Sequence, residues 1–221
     1  MNHSHPTFDA SSRRNHLIAT LCLAVFCMVA SVAVHADSEV VRQHDIDASG
    51  VRSVDVNAAV GSIRIRQGSG DVIRVRLEIK GSRSGILRRR ADVSDMDLEV
   101  TRSGSELKLE FQQDNAAADW EIELPRSLDL ALRLGVGELD ADLAGGNLDI
   151  KVGVGEVELR LPKTAAAQFS ATTGVGEARI RGGDNAEQTR TFVSGRASSE
   201  GSGSAQVAVK VGVGEIDIRL R

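Results

Sequence analysis

The stretch LDLALRLGVGELDADL, residues 128–143, places apolar side chains at Leu128, Leu130, Leu132 and Leu134, and again at Leu139, Ala141 and Leu143. Alternation with a period of two marks a β-strand with one buried face. The alternation changes parity across Gly135-Val136-Gly137-Glu138, so a single straight strand would turn half of its apolar residues outward. A bend or bulge keeps them all inward, and glycines permit the backbone angles that such a corner requires. The tetrapeptide therefore reads as a corner joining two strand segments over one core.

Three more copies follow, at Gly153–Glu156, Gly174–Glu177 and Gly212–Glu215, with starts 18, 21 and 38 residues apart. The same flanks recur, for example Val207, Val209 and Val211 before the last copy and Ile216, Ile218 and Leu220 after it. A period near 19 means a repeat architecture, and the doubled last gap predicts a degenerate copy between Thr189 and Ser204. The template also reappears at Val54, Val56, Ala58, Val60, Gly61, Ser62, Ile63 and Ile65, with Gly61 four periods of 19 before Gly137. Between them, alternating strands are expected around Val72 to Ile79, Met96 to Val100, Leu107 to Phe111 and Trp120 to Leu124, with a hairpin turn at Arg102–Ser105. Pro125 and Pro162 each end a strand, because proline cannot donate to a ladder. No helix is expected outside the N-terminal segment. The fold class that follows is all-β, a single β-solenoid-like stack.

Stacked coils place equivalent positions about 4.8 Å apart. If rungs follow chain order, Asp140, Glu158, Arg179 and Asp217 form one outward column, with Glu158 beside Arg179 and Asp142 beside Arg160. The last rung, Ile216 to Arg221, then presents an unpaired edge, open to strand addition or edge-strand self-association.

The 221-residue chain begins with a polar segment carrying Arg13 and Arg14, an uncharged stretch from Leu17 to Val34, and Val34-His35-Ala36. A basic region, an apolar region and a small-residue site predict a cleaved export signal over residues 1–36, followed by one domain over 37–221. An uncleaved anchor is the alternative, since about 18 apolar residues is the lower limit for spanning a bilayer. Setting aside Arg13, Arg14 and Asp9 leaves 25 Lys and Arg against 30 Asp and Glu, a net charge of −5. That mild acidity argues against nucleic acid as a partner. Cys22 and Cys27 both lie in the signal, so the remaining chain has neither disulfide nor thiolate chemistry. Its one histidine is His44, and its aromatics are Phe111, Trp120, Phe169 and Phe192.

Glu138, Glu156, Glu177 and Glu215 close the four corners and form the weak candidate for a metal or cationic-ligand ladder. One carboxylate per rung falls short of the six to eight oxygens that calcium takes, so no metal or other cofactor is expected. Arg88, Arg89 and Arg90 are the concentrated basic patch and the weak candidate for anionic lipid or glycan. His44 with Asp45 and Asp47, and the group Asp92, Asp95 and Asp97, read as polar strand or turn residues rather than catalytic centres. The lone Gly-x-Gly lacks the third glycine and the helix of a nucleotide loop. Gly137, Gly155, Gly176 and Gly214 are the structural corner positions.

The segments Val136–Leu139, Val154–Val157, Val175–Ala178 and Val213–Ile216, with Leu124-Pro125, resemble the bacterial putative-adhesin domains also called toastrack domains. The resemblance implies an exported, non-enzymatic β-solenoid-like domain of the cell envelope, periplasmic or at the surface, with relatives associated with adhesion or envelope-stress sensing. It supplies no catalytic residues. The expected partner is an envelope protein or glycan, with no membrane span in the mature chain. The alternatives are a carbohydrate-active β-helix enzyme, which needs paired carboxylates and aromatics for sugar stacking, and a purely structural envelope protein.

Overall fold

A computed structural model describes residues 38–84, 89–125, 128–190 and 193–221; the expected signal over 1–36 lies outside them. Among the described residues, fourteen strands follow in chain order. The first eight are β1 (Glu39–Asp47), β2 (Ser53–Gln67), β3 (Val72–Gly81), β4 (Arg83–Ser84), β5 (Arg89–Arg90), β6 (Glu99–Ser103), β7 (Glu106–Phe111) and β8 (Ala116–Leu124). The remainder are β9 (Asp129–Asp142), β10 (Leu148–Leu161), β11 (Ala166–Arg181), β12 (Asp184–Arg190), β13 (Gly195–Glu200) and β14 (Ala205–Leu220). One short 3-10 turn, Lys163–Ala165, follows Pro162. The expected hairpin turn is present, with Ser103 paired to Glu106 across a two-residue loop whose Gly104 has φ +59°.

The five strands that carry a corner stack parallel and in register in the order β2, β9, β10, β14, β11. Gly61, Gly137, Gly155, Gly214 and Gly176 stand side by side, as do Val60, Val136, Val154, Val213 and Val175. The halves before the corner continue from β2 through β7 to β6, and from β11 through β13 to β12. The halves after it continue from β2 through β8 and β3 to β1. Both sets of inward columns join one core, from Val54, Leu130, Leu148, Val207 and Phe169 to Ile63, Leu139, Val157, Ile216 and Ala178.

Three expectations are corrected. The rungs do not follow chain order: the last strand, β14, lies between β10 and β11, so Ile216 to Arg219 is paired on both sides and offers no edge. Glu158 therefore meets Asp217 rather than Arg179. Among the described residues from Thr189 to Ser204 there is no degenerate corner; β13 runs antiparallel on β11, and β12 runs antiparallel on β13. Gly61 and Gly137 are direct neighbours, and the 75 residues between them are an excursion rather than three coils.

The corner explains the glycines. At Gly61, Gly137, Gly155, Gly176 and Gly214 the backbone has φ between +128° and +151°, in the region that disfavours L side chains. A Cβ on any of them would stand 1.7–1.9 Å from a carbonyl oxygen of the neighbouring strand, Ala118 of β8 in the case of Gly61. The first glycine of each tetrapeptide is also tight, with a Cβ on Gly135, Gly153 or Gly212 falling 2.5 Å from such an oxygen. Ala59 occupies that position on β2, where the flanking strand β7 has already ended at Phe111, paired with Ala58.

Candidate functional site

Register turns a short motif into long surface columns. The corner valines form a ridge along the rack, each 44–50% exposed. Three residues before each valine stand Asn57, Arg133, Lys151, Lys210 and Thr172; two residues after it stand Ser62, Glu138, Glu156, Glu215 and Glu177. The three middle rungs thus carry a cation on one flank of the ridge and a carboxylate on the other. Between the cations and the ridge the side chains are reduced to Ala59, Gly135, Gly153 and Gly212. That leaves a groove of about 460 Å³ lined by Asn57, Ala59, Arg133, Gly135, Lys151 and Gly153.

The candidate glutamates are placed together as a column but do not converge: among the described residues, no three His, Cys, Asp or Glu are positioned to hold a metal ion. Glu177 is engaged by Arg179, whose other nitrogen lies 3.9 Å from Glu215.

Farther from the corner, the outer face carries an ion-pair ladder across all five rungs. Asp140 receives Arg66 at 2.9 and 3.1 Å and Arg160 at 2.8 Å. Arg160 also reaches Glu158 at 2.7 Å, Arg219 joins Glu158 to Asp217, and Arg181 lies 3.4 Å from Asp217. Arginine bridges thus offset the like charges of Glu158 and Asp217 on adjacent rungs. Asp142 does neighbour Arg160 in the register, but its carboxylate takes Arg221 at 2.6 and 3.0 Å.

Arg66 holds the Asp140 carboxyl below the usual carboxylate range, against the opposing effect of burial and with help from Arg160. A folded-state pKa below the unfolded value gives stability that is complete above about pH 4 and lost as pH falls through the depressed folded value. Asp140→Asn should therefore lower the melting temperature by about 1–3 °C at pH 7, a small effect because the network is part-exposed. The difference should shrink on acidification below about pH 4. A difference unchanged between pH 7 and pH 2.5 would show that the ladder does not stabilise the fold through this charge.

A second cleft, about 440 Å³, lies on the outer face before the corner. Asp55, Glu106, Asp129 and Asp149 line it over a floor that includes Ala131 and Ala208. Asp55 accepts from Arg133 at 3.0 Å, Asp129 from the Asn147 backbone and side chain at 2.9 and 3.0 Å, and Asp149 from Lys151 at 2.7 Å. Sequence reading missed this group because stacking brings its members together from strands far apart in the chain. The only local signal was an acidic residue at the same outward position of β2 and β10, Asp55 and Asp149.

The other sequence candidates separate. His44 Nε2 lies 2.8 Å from Asp97 Oδ1, whereas Asp47 binds Ser49 and Asp92 accepts from the Ser94 N–H. Burial works against ionisation of Asp97, yet the hydrogen bonds from His44 and the Leu98 N–H leave its carboxyl below the usual range. Arg89 and Arg90 form β5, paired with β4, and Arg90 is exposed; Arg88 lies outside the described residues. Trp120, Phe111 and Phe169 are buried in the core, on β8, β7 and β11; Phe192 lies outside the described residues. No helix among the described residues is long and apolar enough to cross a membrane.

These features define a rack of in-register parallel rungs, one corner per rung, flanked by antiparallel strands: an all-β, solenoid-like fold of the toastrack type. Residues 34–181 match the family described as the N-terminal domain of toast_rack, DUF2154, and the chain belongs to that family. The resemblance read from the corner motifs is therefore correct. No curated protein matches the sequence. Among solved structures, the chain is similar to a "putative cell adhesion protein" from Clostridium sporogenes, with 16% identity over 83% of this chain and 100% of that one, TM-score 0.49. It is also similar to a "putative adhesin" from Bacteroides fragilis, with 15% identity over 81% of this chain and 97% of that one, TM-score 0.29.

Proposed function

We propose that the chain is an exported, non-enzymatic module of the cell envelope that binds another envelope component, protein or glycan, through the outward columns of its rack. The observation that carries this reading is the repetition of one surface chemistry on successive rungs: a cation, a valine and a carboxylate at fixed offsets. Catalysis needs unlike groups converging on one reacting atom, whereas a rigid face with a repeated pattern suits recognition of an extended partner. Burial of Trp120, Phe111 and Phe169 withholds them from stacking on sugar rings in a groove. Export rests on the basic, apolar and small-residue pattern of residues 1–36.

The test is photo-crosslinking in cells from a probe at Lys151 or Glu156, with the exported protein first checked by mass for cleavage after Ala36. A defined envelope adduct formed from the corner face and not from a probe at Glu99 supports the reading. Turnover of any glycan panel by the purified chain overturns it in favour of the enzyme, and absence of any adduct overturns it in favour of a purely structural role.

A further inference from the structure

The valine ridge lies outside the buried core of the chain. Its five members are half-exposed, and the close approach of the rungs at the corner rests on the glycines that flank each valine. On β2 the motif has changed to Ala59-Val60-Gly61-Ser62, so the first glycine and the glutamate are gone while the valine stays. A residue kept on every rung at the apolar surface, even where its neighbours change, points to a surface that is covered.

We propose that the cover is a second copy of this chain, packed corner to corner about a two-fold axis parallel to the stack. The argument is the spacing of the columns. Counted from the valine, the cations stand at −3, the small residue at −1 and the carboxylate at +2. A two-fold parallel to the stack keeps each rung level with its counterpart and reverses the order of the columns. Seating the valine of one copy over the small-residue position of the other exchanges 0 with −1, and the same operation exchanges −3 with +2. Each valine then enters the groove beside Gly135, Gly153 and Gly212. Arg133 faces the partner copy's glutamate on the same rung, and Lys151 and Lys210 do likewise. On the outer rungs Asn57 meets the serine at +2 and Thr172 meets the glutamate at +2, so no rung opposes like charges in these two columns. A two-fold perpendicular to the stack would instead set cation against cation. The interface is isologous. Five valines over about 19 Å of stack make it smaller than a standard interface, so a weak dimer is expected, with Kd on the order of 100 μM.

This inference rests on the reading of the corner face as a binding surface, yet its test is separate. Sedimentation of the purified chain from 10 μM to 1 mM should show a concentration-dependent dimer. Val154→Asp should abolish it with unchanged circular dichroism, and Val136→Ser serves as the milder variant if the first fails to fold. Lys151→Glu and Glu156→Lys alone should each raise Kd about tenfold or more through like-charge opposition. An equimolar mixture of the two should return it to within about threefold of wild type, because every opposed pair at that rung is again unlike. A chain that stays monomeric at 1 mM, a dimer indifferent to Val154→Asp, or a mixture no tighter than its components overturns the proposal. A monomer that still gives the envelope adduct leaves the binding reading intact.

Discussion

Gly155→Ala is expected to prevent cooperative folding. Its added Cβ would lie 1.7 Å from the Gly137 carbonyl oxygen, and the residue holds φ +151°. The obstruction is backbone on an adjacent rung, so no side-chain rotation relieves it; β9 and β10 would have to separate at the centre of the stack. A clash with buried backbone belongs with changes costing more than about 4 kcal/mol, a large part of the roughly 5–15 kcal/mol that holds a domain folded. Gly153→Ala, whose Cβ would stand 2.5 Å from the Gly135 oxygen, should be destabilising but less so. Ala59→Gly, beside the end of β7, should cost no more than about 1 kcal/mol. Thermal unfolding followed by circular dichroism ranks the three. A Gly155→Ala variant melting within about 3 °C of wild type would mean that the corner does not hold its rungs as described.

What was legible in the sequence is what each rung carries by itself. The parity change around Val136 marks the corner, and alternation assigns the inward residues. Pro125 and Pro162 mark strand ends after Leu124 and Leu161, as observed. Neighbour relations were not legible, for a physical reason: Gly-Val-Gly-Glu presents the same edge on each copy, so any copy can pair with any other in register. What selects the neighbours is the antiparallel pair β12 and β13. Once β13 covers residues 168–173 of β11, β14 can enter only on the opposite side, between β11 and β10. The antiparallel strands also cap the remaining edge of β11, where the Gly176 N–H donates to the Val193 carbonyl and the Gln188 side chain donates to the Ala178 carbonyl. At the other end of the rack, two separate strands, β7 and β8, flank the two halves of β2. Neither needs a corner, so neither carries the motif. The acidic cleft and the valine ridge were hidden for the same reason, since both exist only across rungs.

A chain ending at Ser204 is expected to lose its fold although four of the five corner strands remain. The missing β14 supplies Val207, Val209, Val211, Ile216, Ile218 and Leu220 to the core. At about 1.5–3 kcal/mol for each fully buried apolar side chain, an upper estimate, the loss is about 9–18 kcal/mol and matches or exceeds the stability of an ordinary domain. It also removes the ladder partner of both β10 and β11, leaving them about 10 Å apart, two strand spacings. Closing the gap would pair Glu158 with Arg179 and glycine with glycine, so local chemistry does not forbid it. The connection does: Lys163 N–H donates to the Arg221 carbonyl and Arg221 N–H to the Leu161 carbonyl, so the 162–165 link is shaped around the end of β14. Closure would also set the Phe169 ring against Leu148 where Val207 now separates them. The truncated chain should therefore show no cooperative melt, and a synthetic peptide of residues 201–221 added in excess should restore one. A cooperative melt that ignores the peptide would mean instead that the rack closes to four rungs, and that β14 is one more repeat rather than the strand on which β10 and β11 depend.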